Sequence, residues 1–420
     1  MSGSREVAAP QPPRAGEVAD VHVGRARAGR LERTLHGARF TYDADYLRER
    51  GDDPAGAVAF SLPPRAEPYE TLGVNLHPFF AGLLPEGLRM RALVRRAKTS
   101  EDDLLSLLML AGADCVGDVS ITTVGERPFD PAPRADVQHP DTLDFAALFE
   151  ESLQYGERDG GRGGEVTIPG VQNKVSGSMI SFPLRGRRRR GAYILKLAPP
   201  ELPRLVENEA FFMGMARGCG LEAAPVAVVR DRRGLTGLLV ERFDRERCEG
   251  DLRKLHQEDL CQLTERYPAD KYRLTLADAL SAMEVCAAPV VERLKLLRLY
   301  AFSYSIANGD LHAKNVSVLR TASGRVELCP GYDLLSTLPY GDSHMALDVD
   351  GRDDNIKAAH LIALGERHGV RAAATRGMLV KLLKRAAPFF ERLEEIGFDD
   401  RRTAHLRRVM DKRAEELRPR

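Results

Sequence analysis

The segment Asn308-Gly309-Asp310-Leu311-His312-Ala313-Lys314-Asn315, followed downstream by Gly331-Tyr332-Asp333-Leu334-Leu335-Ser336-Thr337, constrains this chain more than any other. Between the two stretches, residues 316–319 and 326–329 are short apolar runs around the turn signal Ser323-Gly324, and so read as a β-hairpin. A hairpin returns its end to its beginning, which sets Asp333 beside Asn315. Attack of a hydroxyl on the γ-phosphate of a nucleotide needs a carboxylate to orient the nucleophile and accept its proton. It also needs hard oxygen ligands to hold Mg²⁺ against the phosphates. Asp310 suits the first task, and Asn315 and Asp333 suit the second. An Asp followed five residues later by an Asn is common by chance, so its meaning depends on what accompanies it.

Protein kinases use these three residue types in this order, and the upstream residues follow the order a nucleotide-binding lobe requires. Ala192-Tyr193-Ile194-Leu195-Lys196-Leu197 is an apolar run interrupted by one Lys. A cation in a half-buried strand is costly without an anionic partner, and ATP phosphates are one candidate for Lys196; an edge-strand Lys turned to water is the other. Residues 205–219 have helical spacing and offer two carboxylates to that Lys, Glu207 and Glu209, between which the sequence does not choose. Gly237-Leu238-Leu239-Val240-Glu241-Arg242-Phe243-Asp244 reads as a buried strand running into a connection, where backbone groups can meet an adenine edge and Phe243 its face. On spacing alone, core packing is the stronger account of Phe243. Ahead of the Lys strand, Thr167-Ile168-Pro169-Gly170-Val171-Gln172-Asn173-Lys174-Val175-Ser176-Gly177-Ser178 is neither a Walker A loop nor the kinase Gly-rich loop. Gly170 permits close backbone approach there, and Gln172 and Lys174 can donate to phosphate oxygens.

Seven blocks now stand in order: Pro169 to Lys174, Ile194-Leu195-Lys196-Leu197, Val206-Glu207-Asn208-Glu209, Leu239-Val240-Glu241-Arg242-Phe243-Asp244-Arg245, Lys254-Leu255-His256-Gln257-Glu258-Asp259-Leu260-Cys261-Gln262, Asn308 to Asn315, and Tyr332 to Thr337. Together they resemble the HipA family of serine/threonine kinase toxins. Leu76-His77-Pro78-Phe79-Phe80-Ala81-Gly82-Leu83-Leu84-Pro85-Glu86-Gly87 is similar to that family's N-terminal accessory region, so the likeness runs from roughly residue 20 to roughly residue 370. The resemblance implies an α+β, two-lobed protein-kinase-like fold with a mixed N-terminal accessory domain and a mainly helical C-terminal lobe. It implies Asp310 as catalytic base, with His312 and Lys314 in the same loop and Lys314 near the transferred phosphate. Asn315 and Asp333 would bind Mg²⁺, Lys196 would contact the ATP phosphates, and Glu241 and Phe243 would lie by the adenine. Gly170, Gln172 and Lys174 fall in the family's phosphate-binding loop. Family members carry there a serine whose autophosphorylation ejects the loop and silences the enzyme; alignment on Gly170 puts Thr167 at that place. The phosphate would add about −1.5 to −2 charges and pair with basic residues outside the loop. Threonine is a departure, bulkier and β-branched, and Ser176 and Ser178 compete with it.

The same resemblance implies a small HipB-like DNA-binding antitoxin as partner, contact with DNA only through that partner, and a translation factor as substrate, typically an aminoacyl-tRNA synthetase. Two other functions compete. Aminoglycoside and choline kinases share a Gly-Asp-x-His-x-x-Asn type of loop, which makes a small-molecule phosphotransferase the first alternative. A non-catalytic co-repressor that binds antitoxin is the second, although Lys196, Asp310, Asn315 and Asp333 are all present.

Composition fits an intracellular globular enzyme. The chain has 420 residues, 43% of them hydrophobic, enough for large cores in two or three domains. A formal net charge of +1 gives no overall basic field that would demand nucleic acid. Arg185-Gly186-Arg187-Arg188-Arg189-Arg190 is a local exception, read as a solvated hairpin tip, with contact to an anionic partner or DNA the lesser alternative. The six cysteines form no Cys-x-x-Cys and no cluster with histidine, so neither zinc nor a disulfide framework is signalled. His256-Gln257-Glu258-Asp259 holds metal-ligand residue types, but an acidic helix N-terminal turn is the simpler account. Asp342, His344, Asp348 and Asp350 crowd the loop after Thr337, at a substrate surface or merely in water. With no signal peptide and no apolar stretch of the ~20 residues that span a bilayer, a cytoplasmic location without membrane contact is expected.

The expected organisation is a disordered tail over 1–17, an accessory domain over 18–124, a linker rich in Pro, Asp and Arg over 125–142, a strand-rich nucleotide lobe with one main helix over 143–250, and a lobe over 251–420 that is helical apart from the hairpin. Within these, strands are expected around residues 20–23 and 40–42, and helices over 88–97, 101–110, 294–307 and 379–396.

Overall fold

The structure is a computed structural model that describes residues 17–51, 53–112, 115–128, 140–154, 179–185, 192–248 and 251–420. Most of the expected tail and linker, the whole block from Thr167 to Ser178, and Gly186 to Arg190 lie outside the described residues. The N-terminal unit is built on an antiparallel sheet of β1 (Val18–Val23), β2 (Ala26–Arg33), β3 (Gly37–Tyr42), β4 (Tyr69–Leu72) and β5 (Val119–Thr123), in the order β4-β3-β2-β1-β5. Its period is plain in β3, where Ala38, Phe40 and Tyr42 are buried while Arg39 and Thr41 are less so. Helices α1 (Ala44–Arg50), α2 (Pro78–Gly82), α3 (Gly87–Ala97) and α4 (Leu104–Ala111) close the core around Leu31, Phe40, Phe79, Phe80, Leu107 and Leu108. Helix α4 starts at Leu104 instead of Glu101, because Asp103 takes the N-cap place and collects the hydroxyls of Thr99 (2.8 Å) and Ser106.

The next lobe contains α5 (Phe145–Gln154) and a second antiparallel sheet, formed by β6 (Ile180–Arg185), β7 (Ala192–Leu197), β8 (Val226–Arg230) and β9 (Thr236–Glu241) in the order β6-β7-β9-β8. Helix α6 (Leu205–Gly218) covers one face, its Phe212, Met213 and Ala216 packing with Leu238 and Val240. Helix α5 is a second helix where only one was expected. Its Phe145 packs with Leu195 and Leu197, and the Phe145 N–H is held by the Asp231 carboxylate at 2.8 Å.

The C-terminal lobe follows a hairpin of β10 (Arg245–Cys248) and β11 (Asp251–Lys254). Strand β12 (Gln257–Asp259) runs into α7 (Leu260–Leu263); α8 (Leu276–Ala282) and the long α9 (Pro289–Ser305) follow, with Tyr300, Phe302 and Tyr304 fully buried. The hairpin foreseen after Asn315 is β13 (Ser317–Arg320) with β14 (Val326–Leu328), and α10 (Ala358–Arg367), α11 (Ala372–Phe390) and α12 (Asp400–Glu416) complete the lobe. Of residues 256–259, read as a helix N-terminal turn, Gln257–Asp259 add a third strand to that hairpin, with Glu258 opposite Val318, and only Asp259 stands at a helix N-terminus. Asp259 explains the misreading: it ends β12 and also caps α7, its carboxylate accepting the Gln262 N–H (3.0 Å) while the Gln262 side chain accepts its own N–H (2.9 Å). The apolar pattern over 379–396 is likewise split. Pro388 sits in the last turn of α11, and a separate 3₁₀ turn, Leu393–Ile396, follows and ends at Gly397. Cys115, Cys219, Cys261, Cys286 and Cys329 are buried and carry no disulfide, and among the described residues no helix is long and apolar enough to cross a membrane.

Candidate active site

The Asp310 loop begins where α9 ends. Ala307 takes a left-handed conformation (φ +55°) that turns the chain into Asn308, whose side-chain oxygen accepts the Asp310 N–H at 3.1 Å. Gly309 donates its N–H to the Thr337 hydroxyl (2.7 Å), and a Cβ at this position would stand 2.6 Å from the His344 carbonyl oxygen, so only glycine fits. The Asn315 side-chain nitrogen donates to the Asp310 carbonyl at 2.9 Å, which locks the loop and commits the nitrogen end of the amide. The Tyr272 hydroxyl donates to Asp310 Oδ1 at 3.0 Å. His312 is buried, and among the described residues its Nδ1 has no hydrogen-bond partner. Burial, helped by the Lys271 and Lys314 cations, pushes its pKa down to about 3, so the ring is neutral at physiological pH.

The hairpin β13–β14 returns the chain to this loop. Tyr332 fastens the return, its hydroxyl lying 2.6 Å from the Ser317 hydroxyl and donating to the Lys314 carbonyl at 2.8 Å. Asp333 next to it adopts φ +55°, an uncommon state for a residue with a Cβ, and directs its carboxylate onto the Lys196 ammonium. Lys196 lies on β7 between the buried Leu195 and Leu197, and its second partner is Glu209 of α6 at 2.6 Å. The choice the sequence left open is thus made: Glu207 instead accepts from the Thr236 hydroxyl at 3.1 Å. Asn208, between the two glutamates, donates to the Ser336 carbonyl (2.8 Å) and accepts the Ser336 N–H (3.1 Å). Burial would lower the Lys196 pKa, but the carboxylates of Asp333 and Glu209 outweigh it and raise it. Burial pushes the Glu209 carboxyl up against the pull of Lys196, with Asp333 adding to the rise. One ammonium therefore serves two carboxylates in a dry corner.

The remaining expected residues are spread more widely. Glu241 ends β9, is exposed, and donates its N–H to the Pro225 carbonyl at 2.9 Å. Phe243 packs on Tyr332 with ring centres 5.6 Å apart, which puts it against the residue that precedes Asp333. Lys314 is half-buried and turned toward the N-terminal unit: its ammonium pairs with Asp259 at 2.6 Å and donates to the Gly82 carbonyl at 3.2 Å. The resemblance set that ammonium near the transferred phosphate, whereas here it ties α7 to the end of α2. Thr167, Gly170, Gln172 and Lys174, with the competitors Ser176 and Ser178, lie outside the described residues. His256 bridges Asp118 (2.9 Å) and Glu258 (2.8 Å), a link between the N-terminal unit and the C-terminal lobe. Of the acidic loop after Thr337, His344 pairs with Asp353 at 3.2 Å, Asp348 holds the Gly351 N–H at 2.7 Å, and Asp350 pairs with Arg367 at 2.6 Å.

Among the described residues no group of three or more His, Cys, Asp or Glu side chains could hold a metal ion. Mg²⁺ asks for less, since it commonly uses one or two protein ligands and takes the rest of its shell from phosphates and water. The Asp333 carboxylate and the Asn315 amide oxygen are hard donors of the right kind, and the surplus carboxylate around Lys196 favours a cation beside it.

Several residues of the site were not singled out in the sequence. Asn208 was hidden between two glutamates that drew attention as ion-pair partners. Tyr272 meets the Asp310 loop, and Glu86 the neighbouring Lys271 at 2.9 Å across 185 residues of chain, only through tertiary contacts, while Asp259, weighed in the sequence among metal-ligand types, instead pairs with Lys314. A usable signal did exist for Glu86, because the block Leu76 to Gly87 supplies the Gly82 carbonyl to Lys314 of the loop and Glu86 to the neighbouring Lys271.

Comparison with known proteins gives a consistent set of likenesses. The model of the HipA-like C-terminal domain matches residues 166–388, and that of the HipA N-terminal domain matches residues 19–122. A protein of Sinorhizobium fredii named "Putative kinase Y4mE" is 33% identical over 328 residues, which cover 75% of this chain and 76% of that protein. A second from the same organism, "Putative kinase Y4dM", is 30% identical over 318 residues, 70% of this chain and 69% of the relative. Among solved structures, a chain of the "Shewanella oneidensis MR-1 Toxin Antitoxin System HipA, HipB and its operator DNA complex" superposes with a TM-score of 0.73 at 20% identity, covering 95% of this chain and 97% of that one. At that identity the structural likeness is one of fold, and it agrees with the two-lobed, kinase-like arrangement described above.

Proposed function

This chain belongs to the HipA family, and from that membership we propose that it is a Mg-ATP-dependent protein serine/threonine kinase, the toxin of a toxin–antitoxin pair. The observation that carries the reading is the meeting of Lys196, Glu209 and Asp333, three residues from separate elements, beside a loop in which Asn315 locks Asp310. Phosphoryl transfer asks the protein mainly for positioning and electrostatics, and these residues divide that work. Asp310 orients the acceptor hydroxyl and takes its proton. Lys196, held upright by Glu209, contacts the nucleotide phosphates. Asn315 and Asp333 hold Mg²⁺, which when bound neutralises charge on the phosphates. Glu241 and Phe243 line the adenine end, and the loop containing Gly170, Gln172 and Lys174 covers the phosphates.

A HipB-like DNA-binding antitoxin is the proposed partner, with DNA reached only through it, and a translation protein such as an aminoacyl-tRNA synthetase is the proposed substrate. Thr167 is the proposed site of self-inactivation, and the segments 18–124, 143–250 and 251–420 are the proposed functional units. The cytoplasm, where such substrates reside, is the proposed location.

The test is transfer of labelled phosphate from Mg-ATP in a cleared bacterial lysate, comparing the native chain with Asp310→Ala and identifying every labelled protein. One translation protein labelled only by the native chain is the expected result. Absence of Asp310-dependent label on any protein would overturn the protein-kinase reading, and phosphosite mapping that left Thr167 unmodified while other sites filled would remove the proposed switch.

A further inference from the structure

Residues 267–274, between α7 and α8, are tied to the Asp310 loop by two bonds and to the N-terminal unit by a third. The Lys271 carbonyl accepts the Ala313 N–H at 3.1 Å, the Lys271 ammonium pairs with Glu86 at 2.9 Å, and the Tyr272 hydroxyl donates to Asp310 Oδ1 at 3.0 Å. Glu86 belongs to the N-terminal unit, where it is the N-cap of α3. The Tyr272 ring stands edge-on to His312 with centroids 5.1 Å apart, and the Lys271 ammonium lies 5.2 Å from the centre of the same ring. Burial and the Asp310 carboxylate raise the Tyr272 pKa far above its ordinary value, so the phenol keeps its proton and is a donor at every working pH.

A general base must present its carboxylate to the incoming hydroxyl in one orientation. The last torsion of an aspartate is broad and roughly two-fold, so a free carboxylate samples many orientations, and a misplacement of about 1 Å can cost roughly a hundredfold in rate. A donor on one oxygen removes that freedom. We propose that Tyr272 is a positioning residue for phosphoryl transfer, its phenol fixing the plane of the Asp310 carboxylate, and that the Glu86–Lys271 pair holds Tyr272 in register. The N-terminal unit thereby contributes to the geometry of the base although it supplies no group to the reaction. This inference rests on the reading of Asp310 as the base.

The experiment uses the full chain and steady-state transfer from Mg-ATP to a protein acceptor, with Asp310→Ala as the control for the base itself. Tyr272→Phe keeps the ring and removes only the donor. The expected result is a fall in kcat of about tenfold, the scale of one hydrogen bond to a charged group, with KM for Mg-ATP unchanged. Glu86→Gln should give a smaller fall in the same direction, and the double variant should be no slower than Tyr272→Phe, since both act through one contact. If Asp310→Ala is inactive while Tyr272→Phe keeps native kcat, or gains rate, the positioning role is overturned and the base assignment stands. A matched rise in KM without loss of kcat would also overturn it, because that is the mark of a loosened nucleotide site. Retained transfer by Asp310→Ala would remove the base assignment and this inference with it.

Discussion

Where the N-terminal unit meets the rest of the chain, Arg242 and Arg245 pair with Asp244, His256 lies between Asp118 and Glu258, Lys314 pairs with Asp259, Lys271 pairs with Glu86, and Arg320 donates to the Ala55 carbonyl. At the Lys196 corner, a single ammonium faces two carboxylates. Both regions are largely closed to water, so in both the desolvation of charge must be offset by partners. The junction meets that requirement within itself: Arg242 and Arg245 hold the Asp244 carboxyl at about 2 despite its burial. The corner does not: burial and the Asp333 carboxylate push the Glu209 carboxyl up to about 7, and an incoming divalent cation would relieve the two acids where Lys196 alone does not. Buried charge that finds its partners across two units ties them together, and a corner short of cations is a place where a cation can be taken up.

That contrast can be broken by mutation. The largest effect is expected at Asp310, where Asp310→Ala should reduce phosphoryl transfer by roughly 10²- to 10⁴-fold, with an unchanged circular dichroism spectrum and melting curve. Loss of fold along with activity would mean that the loop carboxylate is structural. Next comes Asp244→Ala, which leaves Arg242 and Arg245 buried without their carboxylate and should cost roughly 3–5 kcal/mol in urea denaturation. A cost below about 1 kcal/mol, the range of exposed pairs, would show the junction to be far wetter than it looks. Asp333→Ala should weaken Mg-ATP binding by roughly tenfold, about 1.4 kcal/mol, in calorimetry while leaving Mg-free ATP much less affected; equal effects on both would deny Asp333 a metal role.

The smallest effect is one of pH. Burial would lower the His256 pKa, but Asp118 and Glu258 outweigh it and raise it from 6.5 to about 9. The stability that charged His256 contributes is therefore fully present below pH 6.5 and is lost as pH rises through 9. The melting temperature should fall across that window, and Asp118→Asn should flatten the fall; a profile identical in the two proteins would detach His256 from the junction.

Much of this arrangement was legible before any coordinates. The Asp310, Asn315 and Asp333 spacing, with a turn signal between two apolar runs, fixes a hairpin because both strands are local. Lys196 stood out because a cation in an apolar strand needs an explanation. What the sequence could not yield depends on distant partners. The choice between Glu207 and Glu209 turns on the rotation of α6, which is set by packing of Phe212 and Met213 against β9. β12 was hidden because its partner strand is some 60 residues away, while the cap at Asp259 gave a strong local helix signal. Tyr272 carries no local mark at all; its meaning comes from an oxygen 38 residues downstream.

Asn208 and Glu209 are consecutive on α6, yet one grips the backbone that follows Asp333 and the other grips Lys196. A displacement of the helix by a single turn would release both grips at once. Anything that slides α6 along its axis would therefore reach Lys196 and the segment after Asp333 together, which makes the helix a common handle on both.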